Sequence, residues 1–241
     1  MKEMRIDKFL SQMQIATRTE SKKLIKAGRV RLDACPVTDA AMKIDPNVQR
    51  VYVDGKLILY REYEYLMLYK PAGCITATED GRQKTVMDYL PKERPGNLSP
   101  VGRLDKDTEG LLLLTNDGEL NHNLLSPAKH VKKTYFARIR GRVTEKEVKA
   151  FQEGIDIGEK RLTAPAELSV LHSDETSDIE VTVTEGKFHQ IKRMFQAVGM
   201  EVLYLKRIRM GPLRLDEALK PGQWRELTAE EIKELKGSTN G

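Results

Sequence analysis

Apolar residues recur with helical spacing at the start of the chain. Ile6, Phe9, Leu10 and Met13 fall on one side of a segment running from Arg5 to Met13, which predicts a short amphipathic helix. Thr19 is placed to cap a second helix over Glu20–Ala27, with Leu24 and Ile25 facing inward and Gly28 stopping it. Strand-like pieces follow at Arg29–Leu32 and, after the Asp45-Pro46 turn, at Val51–Val53. A compact helix–helix–strand unit therefore ends near Tyr60. Beyond it the period shortens. Tyr65–Tyr69 and the apolar run Leu111–Leu114 suit buried strands, while Lys133–Arg140 and Ile179–Thr184 alternate as half-buried strands do. Thr144-x-x-Glu147 and Thr228-x-x-Glu231 carry the reciprocal capping pattern that opens helices. Phe188–Val198 returns to helical period, with Ile191, Met194, Phe195 and Val198 on one face and His189, Lys192, Arg193 and Gln196 on the other. Strands outnumber helices and often follow one another directly. The expected class is therefore α+β, with a mixed, mostly antiparallel central sheet.

Charge sharpens this division. The net charge is +5, and residues 1–60 hold 12 Lys/Arg against 7 Asp/Glu, so the excess lies in the first quarter of the chain. Arg5, Lys8, Arg18, Lys22, Lys26 and Arg29 fall away from the apolar positions and predict a basic face suited to phosphates. A solvated lysine-rich surface would give the same counts. No apolar run reaches membrane-spanning length and the first ten residues lack an apolar signal core, so a cytoplasmic protein is expected. Cys35 and Cys74 stand far apart without metal-ligand spacing and are expected to be buried free thiols. His122, His130 and His172 show no metal-ligand pairing, and no phosphate-binding glycine loop is present, so neither metal nor cofactor is implied.

The segment richest in chemistry is Gly102-Arg103-Leu104-Asp105-Lys106-Asp107-Thr108-Glu109-Gly110, a glycine-bracketed polar loop leading into Leu111–Leu114 and the Asn116-Asp117-Gly118 turn. One reading is a charged connector whose aspartates cap turns. Another is the D-x-D-x-T pattern of aspartyl-phosphate phosphohydrolases, but those place the apolar strand before the first Asp, whereas here it follows. The whole stretch G-R-L-D-x-D-T-E-G-L-L-L-L-T-N-D-G is similar to the signature of the RsuA family of rRNA pseudouridine synthases. Lys70-Pro71-Ala72-Gly73, Lys133-Thr134-Tyr135, Glu185–Phe195 and Leu203–Gly211 match further pieces of that family in order. The first sixty residues resemble the S4 RNA-binding domain through R-x-D-K-F-L, T-R-T-E and L-I-K-A-G-R-V.

This resemblance implies an S4 domain over residues 1–60, a catalytic domain over 61–236, divided into two lobes about a cleft, and a flexible tail over 237–241. It makes Asp105 the catalytic carboxylate and Lys192 its cationic partner. It also assigns Tyr135 to stack on the target base, Leu205 to floor the uracil pocket, and Arg103 to hold a phosphate or fill the space of the flipped nucleotide. Isomerising uridine breaks a C–N glycosidic bond, turns the uracil and rejoins it through carbon, which needs no cofactor. The carboxylate serves either as nucleophile at C1′ or as base at C2′. The form His189-Gln-Ile-Lys-Arg-Met-Phe195 resembles the small-subunit enzymes, which implies a uridine 516-type site in 16S rRNA, or in an assembly intermediate, as substrate for a monomer. The competing reading is a non-catalytic ribosome-assembly factor on the same scaffold. Retention of Asp105, Tyr135 and Lys192 speaks against it.

Overall fold

The computed structural model describes residues 3–91 and 97–238. The chain divides into two compact units, residues 1–64 with 91–98, and residues 65–90 with 99–241. Among the described residues no helix is long and apolar enough to cross a membrane.

The first unit contains β1 (Met4–Arg5), α1 (Ile6–Gln12), α2 (Arg18–Lys26), β2 (Val30–Leu32), β3 (Cys35–Pro36), β4 (Lys43–Ile44), β5 (Val51–Val53) and β6 (Lys56–Ile58). β1 pairs with β4, and the other four strands form a sheet in the order β3-β2-β5-β6. Ile6, Phe9, Leu10, Ile25, Val30, Val51 and Val53 make its core, so the helical stripe of the sequence is the buried one. α2 starts two residues earlier than expected. Thr17, not Thr19, is the cap: the Glu20 N–H donates to Thr17 Oγ1 at 3.2 Å and the Thr17 N–H donates to the Glu20 carboxylate at 2.8 Å. A carboxylate three residues on completes this box, whereas the residue three after Thr19 is Lys22. Asp54 and Gly55, both at positive φ, close the tight β5–β6 hairpin. Cys35 is exposed rather than buried, because β3 is a two-residue edge strand with both side chains in solvent; Cys74 is buried.

The second unit runs β7 (Tyr65–Lys70), β8 (Ser99–Pro100), β9 (Glu109–Thr115), α3 (Gly118–Leu125), β10 (Lys133–Arg140), α4 (Glu145–Glu153), β11 (Glu167–His172), β12 (Thr176–Val183), α5 (Gln190–Ala197), β13 (Glu201–Met210), β14 (Leu213–Arg214), β15 (Trp224–Glu226) and α6 (Ala229–Gly237). The strand order is β11-β12-β10-β13-β9-β7-β15, with β14 beside β13 and β8 beside β9. Every strand pairing in it is antiparallel except β13 with β9, giving the mixed, mostly antiparallel sheet that the spacing predicts. That parallel pairing joins Lys206 to Glu109 and Arg207 to Gly110. Two core clusters lie about it. One gathers Ala137, Ile139, Phe151, Ile179, Val181, Met194 and Phe195 from β10, β12, α4 and α5. The other gathers Met67, Leu111, Leu113, Leu120, Leu124 and Leu235 from β7, β9, α3 and α6. The capping boxes at Thr144 and Thr228 form as their sequences require. α5 begins at Gln190, so Phe188 and His189 precede the helix instead of opening it. Gly237 still belongs to α6 and Ser238 caps it, while residues 239–241 of the expected tail lie outside the described residues.

Candidate active site

The loop between β8 and β9 is held from beneath by a lysine. Lys70, at the end of β7, is fully buried, and its ammonium donates to the carbonyls of Pro71 (3.0 Å), Asp105 (3.0 Å) and Thr108 (2.8 Å). Three acceptors match the three donors of an ammonium, which is what makes its burial tolerable. Burial pushes the Lys70 amine below its ordinary pKa, against the pull of the neighbouring Asp105, Asp107 and Glu109. Thr76 grips the loop from the other side, donating to the Leu104 carbonyl at 2.8 Å and accepting the Leu104 N–H at 3.1 Å. The Gly73 N–H donates to the Lys106 carbonyl at 2.7 Å. Farther along, the Tyr204 hydroxyl at 2.8 Å and the Tyr69 hydroxyl at 3.3 Å both reach Glu109. Asp105 thus rides on a backbone fixed at each flank, and its carboxylate keeps 27% side-chain exposure.

Lys192, in the first turn of α5, meets that carboxylate. Its Nζ lies 3.1 Å from Asp105 Oδ2 and 2.5 Å from Asp107 Oδ1. Burial alone would lower the Lys192 amine, but the hydrogen bonds to Asp107 and Asp105 outweigh it and hold the amine above its usual value. Asp107 is similarly balanced: burial would raise its carboxyl, yet the bond and charge of Lys192 keep it below the ordinary range. His189 Nε2 approaches Asp105 Oδ1 at 3.6 Å.

Two of the expected site residues, Asp105 and Lys192, are therefore in direct contact, although they stand 87 positions apart in sequence. Tyr135 lies in the same sheet, on β10, two strands away from β9. It pairs with Arg207 of β13, and Arg207 pairs in turn with Gly110, at the end of the Asp105 loop. Tyr135 is half-buried against the β10–β13 core, and Leu205, opposite Ala137, is a member of that core. Arg103 is exposed and, among the described residues, has neither an ion-pair nor a hydrogen-bond partner. The apolar strand follows Asp105 rather than preceding it, and no group of three His, Cys, Asp or Glu side chains among the described residues could hold a metal ion.

Sequence reasoning did not find the bridging role of Asp107, the approach of His189, or the anchoring by Lys70 and Thr76. Asp107 and Lys70 were visible only as members of matched motifs. It also missed a buried cationic pair on the Tyr135 row. Arg207 donates through Nε to the Leu111 carbonyl at 2.8 Å and leaves a buried Nη2 without a partner. Lys133 donates to the Val131 carbonyl at 2.9 Å, and its amine is pushed down to about 8, first by burial and then by the Arg207 charge.

The model of the RNA pseudouridylate synthase family matches residues 64–197, and that of the S4 domain matches residues 4–49. The chain belongs to the RNA pseudouridylate synthase family. An uncharacterised RNA pseudouridine synthase of Bacillus subtilis, YtzG, is 48% identical over 231 residues, covering 95% of this chain and 97% of the relative. The ribosomal small subunit pseudouridine synthase A of Haemophilus influenzae is 37% identical, covering 96% and 99%. A crystal structure of a pseudouridylate synthase superposes with a TM-score of 0.69 at 36% identity, covering 96% of this chain and 99% of that one. These relatives span both units, so the protein is an RNA pseudouridine synthase of the RsuA type with an N-terminal S4 domain.

Within the S4 domain of this synthase, Arg5, Lys8, Arg18, Lys22, Lys26 and Arg29 are all exposed. They are not equivalent. Arg5 precedes α1 and is clasped by Asp7 at 2.8 Å, and Arg29, in the turn after α2, is clasped by Asp54 at 2.5 Å. Lys8, Arg18, Lys22 and Lys26 have no such partner among the described residues.

Proposed function

We propose that this synthase isomerises a uridine of small-subunit ribosomal RNA, at a uridine 516-type site of the 16S molecule, with Asp105 as its catalytic carboxylate. The observation that carries the site assignment is the Asp105 carboxylate, partly open to solvent and held 3.1 Å from Lys192 on a loop anchored at both flanks. The substrate assignment rests on the relatives named ribosomal small subunit pseudouridine synthase A, which align over nearly the whole chain.

In this reading Lys192 stabilises the ionised carboxylate, which attacks C1′ or removes the C2′ proton so that the glycosidic bond breaks. Tyr135 stacks on the uracil once it has left its helix, and Leu205 lies beneath it. Arg103, with no partner among the described residues, takes a backbone phosphate or the space the uridine vacates. The S4 domain, residues 1–60, holds the RNA through its basic residues, and residues 61–236 carry out the reaction in a monomer. Among the described residues four of the six basic side chains form no ion pair with a carboxylate, which supports phosphate binding by that face.

Pseudouridine mapping on small-subunit rRNA transcripts and assembly intermediates, with wild type beside Asp105→Asn, tests both parts. Wild type is expected to form one pseudouridine and Asp105→Asn none, with RNA binding retained. Product from Asp105→Asn would overturn the site assignment. Product on large-subunit RNA alone would overturn the substrate assignment.

A further inference from the structure

Next to Asp105 stands an aromatic pair that the reaction scheme above does not use. The Phe188 and His189 rings stack with centroids 3.8 Å apart and planes 19° from parallel. Phe188 is 72% exposed, the most open aromatic side chain among the large exposed hydrophobics. Scattered apolar side chains are ordinary on a surface. A phenyl ring stacked on a second ring that itself stands 3.6 Å from a catalytic carboxylate is a different arrangement.

The pair is also rigidly mounted. His189 has φ of 48°, a left-handed conformation that a non-glycine residue keeps only where its surroundings impose it. Arg193 holds the Phe188 carbonyl at 3.2 Å while its Nη1 bonds Glu159 at 2.8 Å. The buried Gln190 side chain accepts the Lys187 N–H and donates to Glu185, both at 2.9 Å. Lys187, Lys192 and Arg193 flank the pair in sequence, and each is held by a carboxylate: Lys187 and Arg193 by Glu159, Lys192 by Asp105 and Asp107. A fixed, exposed aromatic face is a surface on which proteins stack unpaired nucleobases. Turning a uridine out of its helix leaves the adjoining base without a stacking partner.

We propose that the Phe188–His189 pair is a second stacking platform, which receives the base adjoining the target uridine and thereby contributes to the choice of RNA site. This rests on the reading that Asp105 acts on a uridine turned out of the RNA.

The test uses RNA carrying 2-aminopurine singly on the 5′ or the 3′ side of the mapped uridine, bound to the full chain in the Asp105→Asn background. Fluorescence is expected to be quenched on binding at one of the two positions. The quench should be lost with added Phe188→Ala and restored with Phe188→Trp. With Asp105 intact, Phe188→Ala should raise KM for RNA by about 5- to 100-fold while kcat changes by less than about threefold. An abasic nucleotide at the quenched position should erase that difference between wild type and Phe188→Ala.

Quenching at neither position, or quenching unchanged by Phe188→Ala, would overturn the platform. So would a collapse of kcat at unchanged KM, which would make Phe188 a positioning residue for Asp105. Phe188→Leu, which keeps the bulk and removes the π-face, should behave as the alanine variant. Retained turnover in Asp105→Asn would sink the catalytic reading alone, since the quench does not depend on chemistry.

Discussion

Gly110 is where the loop bearing Asp105 passes into the sheet, and its replacement by alanine has a calculable cost. Gly110 has φ of +108°, and a Cβ there would lie 2.2 Å from the Arg207 carbonyl oxygen, 2.7 Å from its nitrogen and 2.9 Å from its carbonyl carbon. All three are main-chain atoms of β13, so no side chain can swing aside. Holding an L-residue at such a φ costs about 1–3 kcal/mol, and forcing the strands apart costs a further ~1–3 kcal/mol by analogy with overpacked cores. The parallel pairing that would have to open is only two residue pairs long, Lys206 with Glu109 and Arg207 with Gly110. We expect Gly110→Ala to destabilise the second unit by about 3–5 kcal/mol, on the order of 6–20 °C in Tm for a unit of this size. Trp224 is the single tryptophan and lies on β15, paired with β7 in the same sheet, so its fluorescence on heating reports this unit. Gly118→Ala is the control. Gly118 opens α3, nothing lies within 4 Å of a Cβ built there, and its φ is not positive, so the change should leave stability level or raise it by up to about 1 kcal/mol. A Gly110→Ala protein melting within about 2 °C of wild type, with the control behaving, would refute the steric argument.

Lys192→Met should cut turnover by about 10²- to 10³-fold, the usual cost of losing a preorganised charge at a reacting centre, with RNA affinity nearly unchanged. An affinity loss matching the turnover loss would show that Lys192 serves binding instead. Lys133 gives a pH signature. Its folded-state pKa of about 8 lies below the ordinary 10.5, so between those values the unfolded chain holds a proton that the folded chain has released. The cost of burying Lys133 is therefore full below about pH 8 and relieved as pH rises. Stability of wild type relative to Lys133→Met should climb across that window by up to about 3 kcal/mol, and denaturant titrations showing a flat difference would contradict it. In the S4 domain, Lys22→Gln should reduce the salt dependence of RNA binding by a slope of about 1, whereas Arg29→Gln, already compensated by Asp54, should do less. Equal slopes would mean that the Asp54 ion pair opens on RNA.

Where a local rule decides the outcome, sequence and structure agree closely. The strand Lys133–Arg140 and the helices after Thr144 and Thr228 are found where alternation and capping boxes place them. The α2 start moved to Thr17 because a neighbouring threonine had the better box, a comparison available in the sequence itself. Phe188 and His189 were misassigned to a helix because their apolar period continues through a left-handed turn, and period does not register φ. Burial of charge was least readable. Lys70 and Arg207 sit in strands where charged residues usually mark the solvent face, and only the tertiary fold supplies the carbonyls that accept their protons. The meeting of Asp105 with Lys192 was inferred from a family pattern; no local rule brings a loop before β9 to the first turn of α5.

Lys192 has two carboxylates to answer to, and this changes what happens as the reaction proceeds. On the proposed mechanism Asp105 loses its charge whenever it forms a bond to C1′ or takes up a proton. A cation with a single partner would then be left uncompensated in a partly buried site, at a cost felt as a higher barrier. Asp107, 2.5 Å away, gives the ammonium a second carboxylate that is not the reacting one. On that mechanism it would keep Lys192 charged while Asp105 forms and gives up its bond, so that one carboxylate would turn over and the other serve as a standing counter-ion.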